Sequence, residues 1–216
     1  MPNLTIFDLD NTLLAGDSDR EWGQYIVEKK IVSEDFLIES EKFYNNYYEG
    51  DLDIDKFLAF CLKPLMENKL SKLLELRDGF IEDKIKPILL DKAVDMVDTK
   101  KSQGPVVIAT ATNSFVTRPI ADLFQIKELV ATEFIIKNDK FTGEVDGTPC
   151  FREGKVKKVE DWATKNGYDI SDATFYSDSF NDLPLLKKVK NAIVVDGDNQ
   201  LIEQAKSNGW ECISFR

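Results

Sequence analysis

The chain contains no histidine among its 216 residues. This absence excludes Ser-His and Cys-His catalysis, histidine general bases, phosphohistidine and His-ligated zinc. Acid–base chemistry would therefore depend on carboxylates, lysine, tyrosine or cysteine. A bound metal would rely mostly on oxygen ligands, which favours Mg²⁺, Mn²⁺ or Ca²⁺.

Cysteines are few and long apolar runs are missing. Cys61, Cys150 and Cys212 form no CxxC pair, so we expect reduced thiols in a cytoplasmic protein. The sequence has no apolar run of about 18 residues, and we expect no membrane span. Its first residues lack a charged region followed by an apolar one, so we expect no signal peptide.

Basic residues are outnumbered, with 28 Lys and Arg against 39 Asp and Glu and a net charge of −11. The negative electrostatic field of such a chain disfavours nucleic acid and anionic membrane surfaces as partners. It does not exclude a small anionic substrate held by a few local cations. Hydrophobic residues make up 43% of the chain, which indicates a globular protein of one domain plus an insertion.

The most informative segment is 5–14, where Asp8 and Asp10 end a predicted strand that starts at Leu4. Side chains alternate along a strand, so the two acids share a face or flank its carboxyl end. Open α/β sheets bind ligands at that end. Two free carboxylates repel each other unless a cation or a shared proton relieves them. The segment predicts a cation site and a carboxylate nucleophile, and a solvated acidic turn is the alternative.

Hydrophobic spacing divides the chain into two parts. Residues 15–86 have apolar and aromatic residues at helical spacing, which predicts four or five helices with breaks at Gly50, Pro64 and Gly79. From residue 92 onward, predicted helices and strands alternate. This alternation is typical of an α/β fold with a doubly wound parallel sheet, interrupted after its first strand by the helices. The predicted later strands are 106–109, 130–132, 173–177, 192–195 and 212–215, with a hairpin within 133–145 that turns at Asn138-Asp139.

Further polar residues follow the predicted strands or open a helix, and each has a simpler explanation. Thr110 and Asp182 could be helix N-caps, and Lys155 could belong to a solvated face. Their common position at the carboxyl edge of the sheet favours a shared site. The polar residues that the order of elements places at this edge are Asp8, Asp10, Thr110, Lys155, Asp178 and Asp182.

In this order and spacing, the four groups resemble the four motifs of the haloacid dehalogenase (HAD) superfamily. The groups are Asp8-Leu9-Asp10-Asn11-Thr12, Thr110, Lys155 and Asp178-Ser179-Phe180-Asn181-Asp182. The helices directly after the first motif and the hairpin resemble its C1-cap subfamily IB, the phosphoserine-phosphatase-like type. The resemblance implies a Rossmann-like core domain of residues 1–14 and 86–216. It also implies a helical cap domain of residues 15–85, called the helical insertion below.

The resemblance also implies a role for each motif residue. Asp8 would accept the phosphoryl group as an aspartyl phosphate. Asp10 would protonate the leaving oxygen and then deprotonate water. Mg²⁺ would be held by Asp8, Asp178 and the backbone carbonyl of Asp10. The implied phosphate-binding residues are Thr110, Ala111, Lys155 and Asn181, with Lys155 also stabilising the charge of the nucleophile and Asp182 orienting Lys155 or the metal ligands.

The chain departs from the family pattern at two positions. Ser177 stands before Asp178 where the family usually has glycine, a small change that we expect to be tolerated. Asp17 lies where phosphoserine enzymes have a cap glutamate for the substrate ammonium, and an acidic helix start is the alternative explanation. Arg20 and Arg77 are candidates for gripping a substrate carboxylate, and no motif decides between them.

These features predict a Mg²⁺-dependent phosphoric monoester hydrolase that acts on a small phosphorylated metabolite. The acidic entrance favours an amine-bearing substrate such as phosphoserine or histidinol phosphate. A phosphotransferase of the same superfamily and a non-catalytic phospho-acceptor or binding protein are the alternatives. A receiver-like phospho-acceptor would lack both the helical insertion and Asp10. The sequence does not decide the exact substrate, cap movement, or the choice between monomer and homodimer.

Overall fold

The computed structural model describes residues 3–216 and has a six-stranded parallel sheet at its centre. Its strands are β1 (Thr5–Phe7), β2 (Val106–Asn113), β3 (Glu128–Thr132), β6 (Thr174–Ser177), β7 (Asn191–Val195) and β8 (Glu211–Ile213), and the hairpin strands are β4 (Phe134–Lys137) and β5 (Lys140–Val145). The order in the sheet is β3-β2-β1-β6-β7-β8. The chain winds outward from β1 on one side and then on the other, so the predicted doubly wound α/β fold is confirmed. The crevice at the carboxyl ends of β1 and β6 is where such a sheet binds ligands.

Helices between the strands cover both faces of the sheet. They are α5 (Asp91–Gln103), α6 (Ser114–Leu123), α7 (Glu153–Lys165), α8 (Leu183–Leu186) and α9 (Asn199–Asn208). Successive strand residues point to opposite faces, so Ile6 and Phe7 are both fully buried but belong to different apolar clusters. Such burial on both faces is typical of parallel sheets.

The helical insertion lies between β1 and α5, as predicted. Its helices are α1 (Ser18–Glu28), α2 (Asp35–Glu49), α3 (Ile54–Met66) and α4 (Leu70–Phe80), followed by a π-helical turn (Ile81–Ile85) and a 3₁₀ turn (Lys86–Ile88). Aromatic side chains join it to the core: Trp22 packs edge-on against Phe115 with ring centroids 5.7 Å apart. One of the two apolar clusters is therefore continuous across the insertion and the sheet.

Two of the three predicted breaks within the insertion are wrong. Gly50 does end α2, in the left-handed conformation at φ 82°. Pro64 instead lies buried inside α3, where packing outweighs its cost to the helix. Gly79 also lies inside α4. Glycine is needed at this position because the Tyr25 hydroxyl occupies the place that a side chain would take.

β2 is longer than the predicted strand 106–109. Its pairing with β3 shifts register between Ala109 and Asn113, so Thr110 lies within the irregular end of the strand. The N-cap of α6 is Asn113, whose side chain accepts a hydrogen bond from the Val116 amide. Thr110 is therefore not a helix cap.

The hairpin is confirmed, with Asn138 and Asp139 both at positive φ in its turn. The Asp139 carbonyl accepts a hydrogen bond from Leu70 at the start of α4, which ties the hairpin to the insertion. Among residues 3–216, no helix combines the length and apolarity needed to cross a membrane.

Candidate active site

The residues of all four motifs line one cavity at the carboxyl edge of the sheet. Asp8 follows β1 directly, and its amide donates to the Tyr176 carbonyl in β6. The space between its walls measures about 820 Å³ when the part that opens to solvent is included. The predicted site residues that line it are Asp8, Asp10, Thr110, Ala111, Lys155, Asp178, Asn181, Asp182 and Asp17.

Lys155 joins two carboxylates at the base of the cavity. Its Nζ lies 2.9 Å from Asp8 Oδ1 and 2.7 Å from Asp182 Oδ1, and the residue is only 3% exposed. Burial lowers the pKa of Lys155, but Asp182 and Asp8 outweigh that effect and raise it well above its ordinary value. The ammonium is therefore a fixed positive charge beside Asp8.

The serine at position 177, where the family usually has glycine, makes two hydrogen bonds in the site. Its hydroxyl donates to Asp182 Oδ2 at 2.8 Å and accepts from the Ser179 amide at 3.2 Å. Glycine at this position could make neither contact. Ser177 thus fixes the carboxylate that in turn holds Lys155.

The loop before α7 sets the position of Lys155. Its Cys150 amide donates to Thr132 Oγ1 at 3.0 Å. A side chain at Gly154 would collide with the carbonyl oxygen of Pro149, so only glycine fits this tight entry to the helix. Lys155 lies in the first turn of α7, where the helix dipole disfavours a cation, and the two carboxylates compensate for that cost.

Asp8 and Asp178 lie on either side of one hydroxyl group. Thr12 Oγ1 is 3.1 Å from Asp178 Oδ1 and 3.5 Å from Asp8 Oδ2. Burial raises the pKa of Asp8 to about 7, and the charges of Asp182 and Asp10 act in the same direction. Lys155 lowers the pKa but offsets these effects only in part. Burial and the charges of Asp8 and Asp182 raise the pKa of Asp178 well above its ordinary value. This crowding is the condition that a divalent cation relieves.

The predicted Mg²⁺ ligands are two carboxylates and one backbone carbonyl. Among the described residues, no group of three His, Cys, Asp or Glu side chains lies together as a possible metal site. The two predicted side-chain ligands are Asp8 and Asp178, and the third predicted ligand is the carbonyl of Asp10. A hard cation that keeps several of its waters is compatible with such a small protein set.

Asp10 is held by donors on both oxygens. Its Oδ1 accepts from the Ser18 amide at 2.7 Å, and its Oδ2 accepts from Thr112 Oγ1 at 2.8 Å and Thr110 Oγ1 at 3.4 Å. Burial, followed by the charge of Asp17, raises the pKa of Asp10 to about 6. Thr112 was not among the predicted site residues, although it follows Thr110 by two residues, the spacing of one strand face.

Asn181 connects the core to the helical insertion. Its Oδ1 accepts from Arg152 Nε at 2.9 Å, and its Nδ2 donates to the Tyr47 carbonyl at 3.2 Å. Arg152 Nη2 also donates to the Gly50 carbonyl, and the Tyr47 hydroxyl lies 2.8 Å from Ser179 Oγ. We call these five residues the clasp. Arg152 has no motif that would have revealed it.

The far wall of the cavity comes from the helical insertion and is mainly apolar. Asp17 is the N-cap of α1, where its Oδ1 accepts from the Asp19 and Arg20 amides, both at 2.9 Å. The helix-start explanation of Asp17 is thus present in the structure, and its carboxylate also borders the cavity. The apolar and aromatic residues of this wall are Phe43, Tyr44, Tyr47, Leu52, Ile54, Phe57, Leu58 and Cys61.

Asp19 is a second acid on this wall, and it was not among the predicted site residues. It is 9% exposed, and its Oδ2 receives only long contacts from the Tyr44 hydroxyl at 3.4 Å and Cys61 Sγ at 3.6 Å. Burial, followed by the charge of Asp10, raises the pKa of Asp19 to about 6. Its signal was available: Asp19, Trp22 and Ile26 have the i, i+3, i+7 spacing of one buried helix face.

The two candidate arginines lie away from the cavity wall. Arg20 Nη2 pairs with Glu41 Oε2 at 2.6 Å, and its guanidinium lies 5.2 Å from the centre of the Tyr44 ring. Arg77 donates to the Phe115 carbonyl at 2.9 Å. Among the described residues that line the cavity, Lys155 is the one basic side chain. The expectation that Arg20 contacts substrate finds no support in this geometry.

The fold and the four motif groups define a class of enzyme, and sequence comparison identifies it. The pattern of the haloacid dehalogenase-like hydrolase family matches residues 5–187. The chain belongs to this family, and the predicted class, a phosphomonoester hydrolase of the HAD type, is confirmed.

Individual relatives cover the whole chain. A histidinol-phosphatase of Neisseria meningitidis serogroup C is 36% identical over the full length of both proteins. A structure of a Bordetella pertussis protein of unknown function has a TM-score of 0.92 and 34% identity, again over both full chains. A substrate-bound phosphoserine phosphatase has a TM-score of 0.72 at 21% identity over 99% of this chain and 93% of its own, a likeness of fold.

Proposed function

We propose that this protein hydrolyses a small amine-bearing phosphomonoester through an aspartyl-phosphate intermediate, with histidinol phosphate as the leading substrate. The observation that carries the proposal is the cavity itself: it has Asp8 and Lys155 at its base and Asp17 and Asp19 on its wall, with no arginine among the described lining residues. We assign the base to a core domain of residues 1–14 and 86–216. We assign the wall to a cap domain of residues 15–85.

Asp8 is the nucleophile of the proposed reaction. A carboxylate oxygen of Asp8 attacks phosphorus, and the bond between phosphorus and the ester oxygen breaks. Lys155, 2.9 Å from Asp8, offsets negative charge on the nucleophile and the phosphoryl oxygens. Thr110, the Ala111 backbone and Asn181 are the remaining candidates for phosphate contacts.

Asp10 moves the proton in both half-reactions. Its carboxyl group first gives a proton to the departing alcohol oxygen. The resulting carboxylate then takes a proton from the water that attacks the aspartyl phosphate, so inorganic phosphate leaves and Asp8 is restored. The Ser18 amide and the Thr112 hydroxyl hold Asp10 in place for this role.

Mg²⁺ fits the donor set formed by Asp8, Asp178 and the Asp10 carbonyl. The cavity base has four carboxylates, those of Asp8, Asp10, Asp178 and Asp182, and one ammonium group. When bound, the ion would neutralise charge on the phosphoryl oxygens and offset the repulsion between Asp8 and Asp178.

The charges on the cavity wall favour histidinol phosphate over phosphoserine. Both substrates carry an amine, which Asp17 can accept. Phosphoserine also carries a carboxylate, which would meet Asp17 and Asp19 and find no arginine among the described lining residues. A buried anion without a partner is strongly disfavoured. The histidinol-phosphatase of Neisseria meningitidis, 36% identical over both full chains, is consistent with this preference.

The test is phosphate release from histidinol phosphate, phosphoserine and a chromogenic aryl phosphate, with Mg²⁺ or with a chelator. We expect release that requires Mg²⁺ and is fastest with histidinol phosphate. Asp8→Asn should lower kcat on the order of 10³-fold or more while the protein stays folded. The matched control is Asp161→Asn, which changes the same side chain at an exposed position. Near-normal turnover by folded Asp8→Asn would overturn the mechanism, and a preference for phosphoserine would overturn the substrate assignment.

A further inference from the structure

Three aromatic rings of the helical insertion line one part of the cavity. Tyr44 from α2 and Phe57 from α3 meet edge to face with ring centroids 6.0 Å apart, and Phe43 lies 5.5 Å from Phe57. Aromatic walls of this kind favour a planar group that can pack against them.

Asp19 places a carboxylate among these aromatic residues. Its two recorded side-chain contacts come from neutral groups, the Tyr44 hydroxyl and the Cys61 thiol, and both reach Oδ2. Within residues 3–216, no lysine or arginine forms a salt bridge with Asp19 and no protein donor reaches Oδ1. A carboxylate that is nine-tenths buried with only neutral donors is costly, and a cationic or N–H-bearing ligand relieves that cost.

Asp17 and Asp19 differ in their surroundings. Asp17 sits in the loop that leads into α1, next to Ser18, whose amide binds Asp10. Asp19 is the second residue of α1, and its side chain contacts Tyr44 of α2 and Cys61 of α3. A ring that packs against Tyr44 and Phe57 would thus lie next to the Asp19 carboxylate, whereas Asp17 borders the cavity from the loop before α1.

From this arrangement we infer that Asp19, Tyr44 and Phe57 form a subsite for an imidazole ring, in which Asp19 accepts a hydrogen bond from a ring N–H. Asp19 is then the residue that selects an imidazole over other flat side chains, and Asp17 receives the amine. The inference rests on the proposed function and specifies which groups of the leaving alcohol the enzyme recognises.

Three phosphate esters distinguish recognition of the imidazole from recognition of the amine. Histidinol phosphate carries both amine and imidazole. Phenylalaninol phosphate keeps the amine and a flat ring but has no ring N–H. The ester of imidazolyl-propanol keeps the imidazole and has no amine. Phosphate release from each, measured as kcat and KM with Mg²⁺ present, is compared for the wild type, Asp19→Asn and Asp17→Asn.

We expect Asp19→Asn to lower kcat/KM for both imidazole esters by about 10- to 100-fold, mostly through KM, because one charged hydrogen bond is lost. The same variant should change kcat/KM for phenylalaninol phosphate by less than about threefold. Asp17→Asn should instead lower kcat/KM only for the two esters that carry an amine. Tyr44→Phe, which removes only the hydroxyl, should retain the preference for imidazole because Phe still provides the ring wall.

Other outcomes overturn the inference and remain distinct from failure of the proposed function. If Asp19→Asn lowers kcat/KM equally for all three esters, the role of Asp19 is structural or general. If only the amine esters are affected, Asp19 binds the amine instead. In both cases the wild type still hydrolyses histidinol phosphate. If the wild type hydrolyses none of the three esters while another phosphate is cleaved, the proposed substrate itself is wrong.

Discussion

Asp19 shows how a residue proposed to bind the substrate carries a cost in the free protein. A carboxylate buried among Tyr44, Phe57 and Cys61 is destabilising when it is charged and has no cationic partner. Residues that bind ligands are often unfavourable for the stability of the empty site, so their removal stabilises the fold while it weakens function. The same reasoning explains why Asp8 and Asp178 crowd together around Thr12.

Asp19→Asn should therefore stabilise the substrate-free protein in a pH-dependent way. The pKa of Asp19 is raised to about 6 in the folded state, against about 3.9 in an unfolded chain. The folded state binds this proton more tightly, so the charged side chain costs stability above about pH 6 and nothing below about pH 4. The variant should gain about 1–3 kcal/mol in free energy of unfolding near pH 8, and little near pH 4.

Urea unfolding across this pH range measures the difference. Asp161→Asn is the control, because it removes an equal charge from an exposed position and should change stability by less than about 0.5 kcal/mol. A variant that is destabilised near pH 8, or a gain that does not depend on pH, would contradict the account of Asp19.

At the scale of elements, the clasp is a direct polar link between the two sides of the cavity. Arg152 reaches both Gly50 at the end of α2 and Asn181 in the fourth motif. Asn181 and Ser179 each bind Tyr47, which also lies at the end of α2. These contacts connect the position of α2 to a loop that carries metal and phosphate ligands in the proposed mechanism.

Arg152→Ala should loosen the seating of α2 over the site. If the seated arrangement is the one that binds substrate, a smaller seated fraction raises the apparent dissociation constant in proportion. We expect KM to rise about tenfold, as loss of charged hydrogen bonds allows. Amide hydrogen exchange in the last turn of α2 should also become faster, because local opening costs less.

Lys188→Ala provides a matched control for the clasp. It also removes a cation with a close partner, Glu160 at 2.6 Å, but on an exposed face of the core. Its KM and the exchange of α2 should match the wild type. If Arg152→Ala behaves like Lys188→Ala in both measurements, the clasp has no role in seating α2.

How far the elements could be predicted depends on whether local or tertiary forces decide them. The alternation after residue 92 and the Asn138-Asp139 turn are local patterns, and both are confirmed. Pro64 and Gly79 are local helix breakers that tertiary packing overrides, since one is buried within α3 and the other makes room for Tyr25. The end of β2 was missed because its register shift arises from pairing with β3.

The site was predictable where motif residues follow strand ends. Asp8 and Asp178 are brought together from widely separated positions because each follows a parallel strand, and these strands place their carboxyl ends at one edge. Lys155 reaches Asp8 from the first turn of α7. Arg152 and Tyr47 could not be predicted in the same way. Their contacts depend on how the helical insertion sits on the core, which short patterns do not encode.

At the scale of the whole molecule, charge at the cavity base connects metal binding with stability. A ligand that binds only the folded state stabilises it by about 2.7 kcal/mol when its concentration is 100 times the dissociation constant. For a chain of this size, that corresponds to a rise of roughly 5–10 °C in melting temperature. Mg²⁺ should therefore raise the melting temperature of the wild type.

Asp178→Asn should lose most of this rise, because it removes one of the two proposed side-chain ligands. It should also melt higher than the wild type when a chelator is present, since the repulsion with Asp8 is relieved. Asp161→Asn should respond to Mg²⁺ as the wild type does. Equal Mg²⁺ responses in the wild type and Asp178→Asn would contradict the assigned ligand set.

The central claim is that Asp8 becomes covalently phosphorylated, and trapping that intermediate tests it most directly. Asp10→Asn removes the group that activates water, so the aspartyl phosphate should outlast its normal lifetime after mixing with Mg²⁺ and histidinol phosphate. The account predicts that intact-protein mass spectrometry under acid quench detects one added phosphoryl group in Asp10→Asn, that peptide analysis locates it on Asp8, and that it is absent from the Asp8→Asn, Asp10→Asn double variant. A phosphoryl group on another residue, or one that persists without Asp8, would contradict the account.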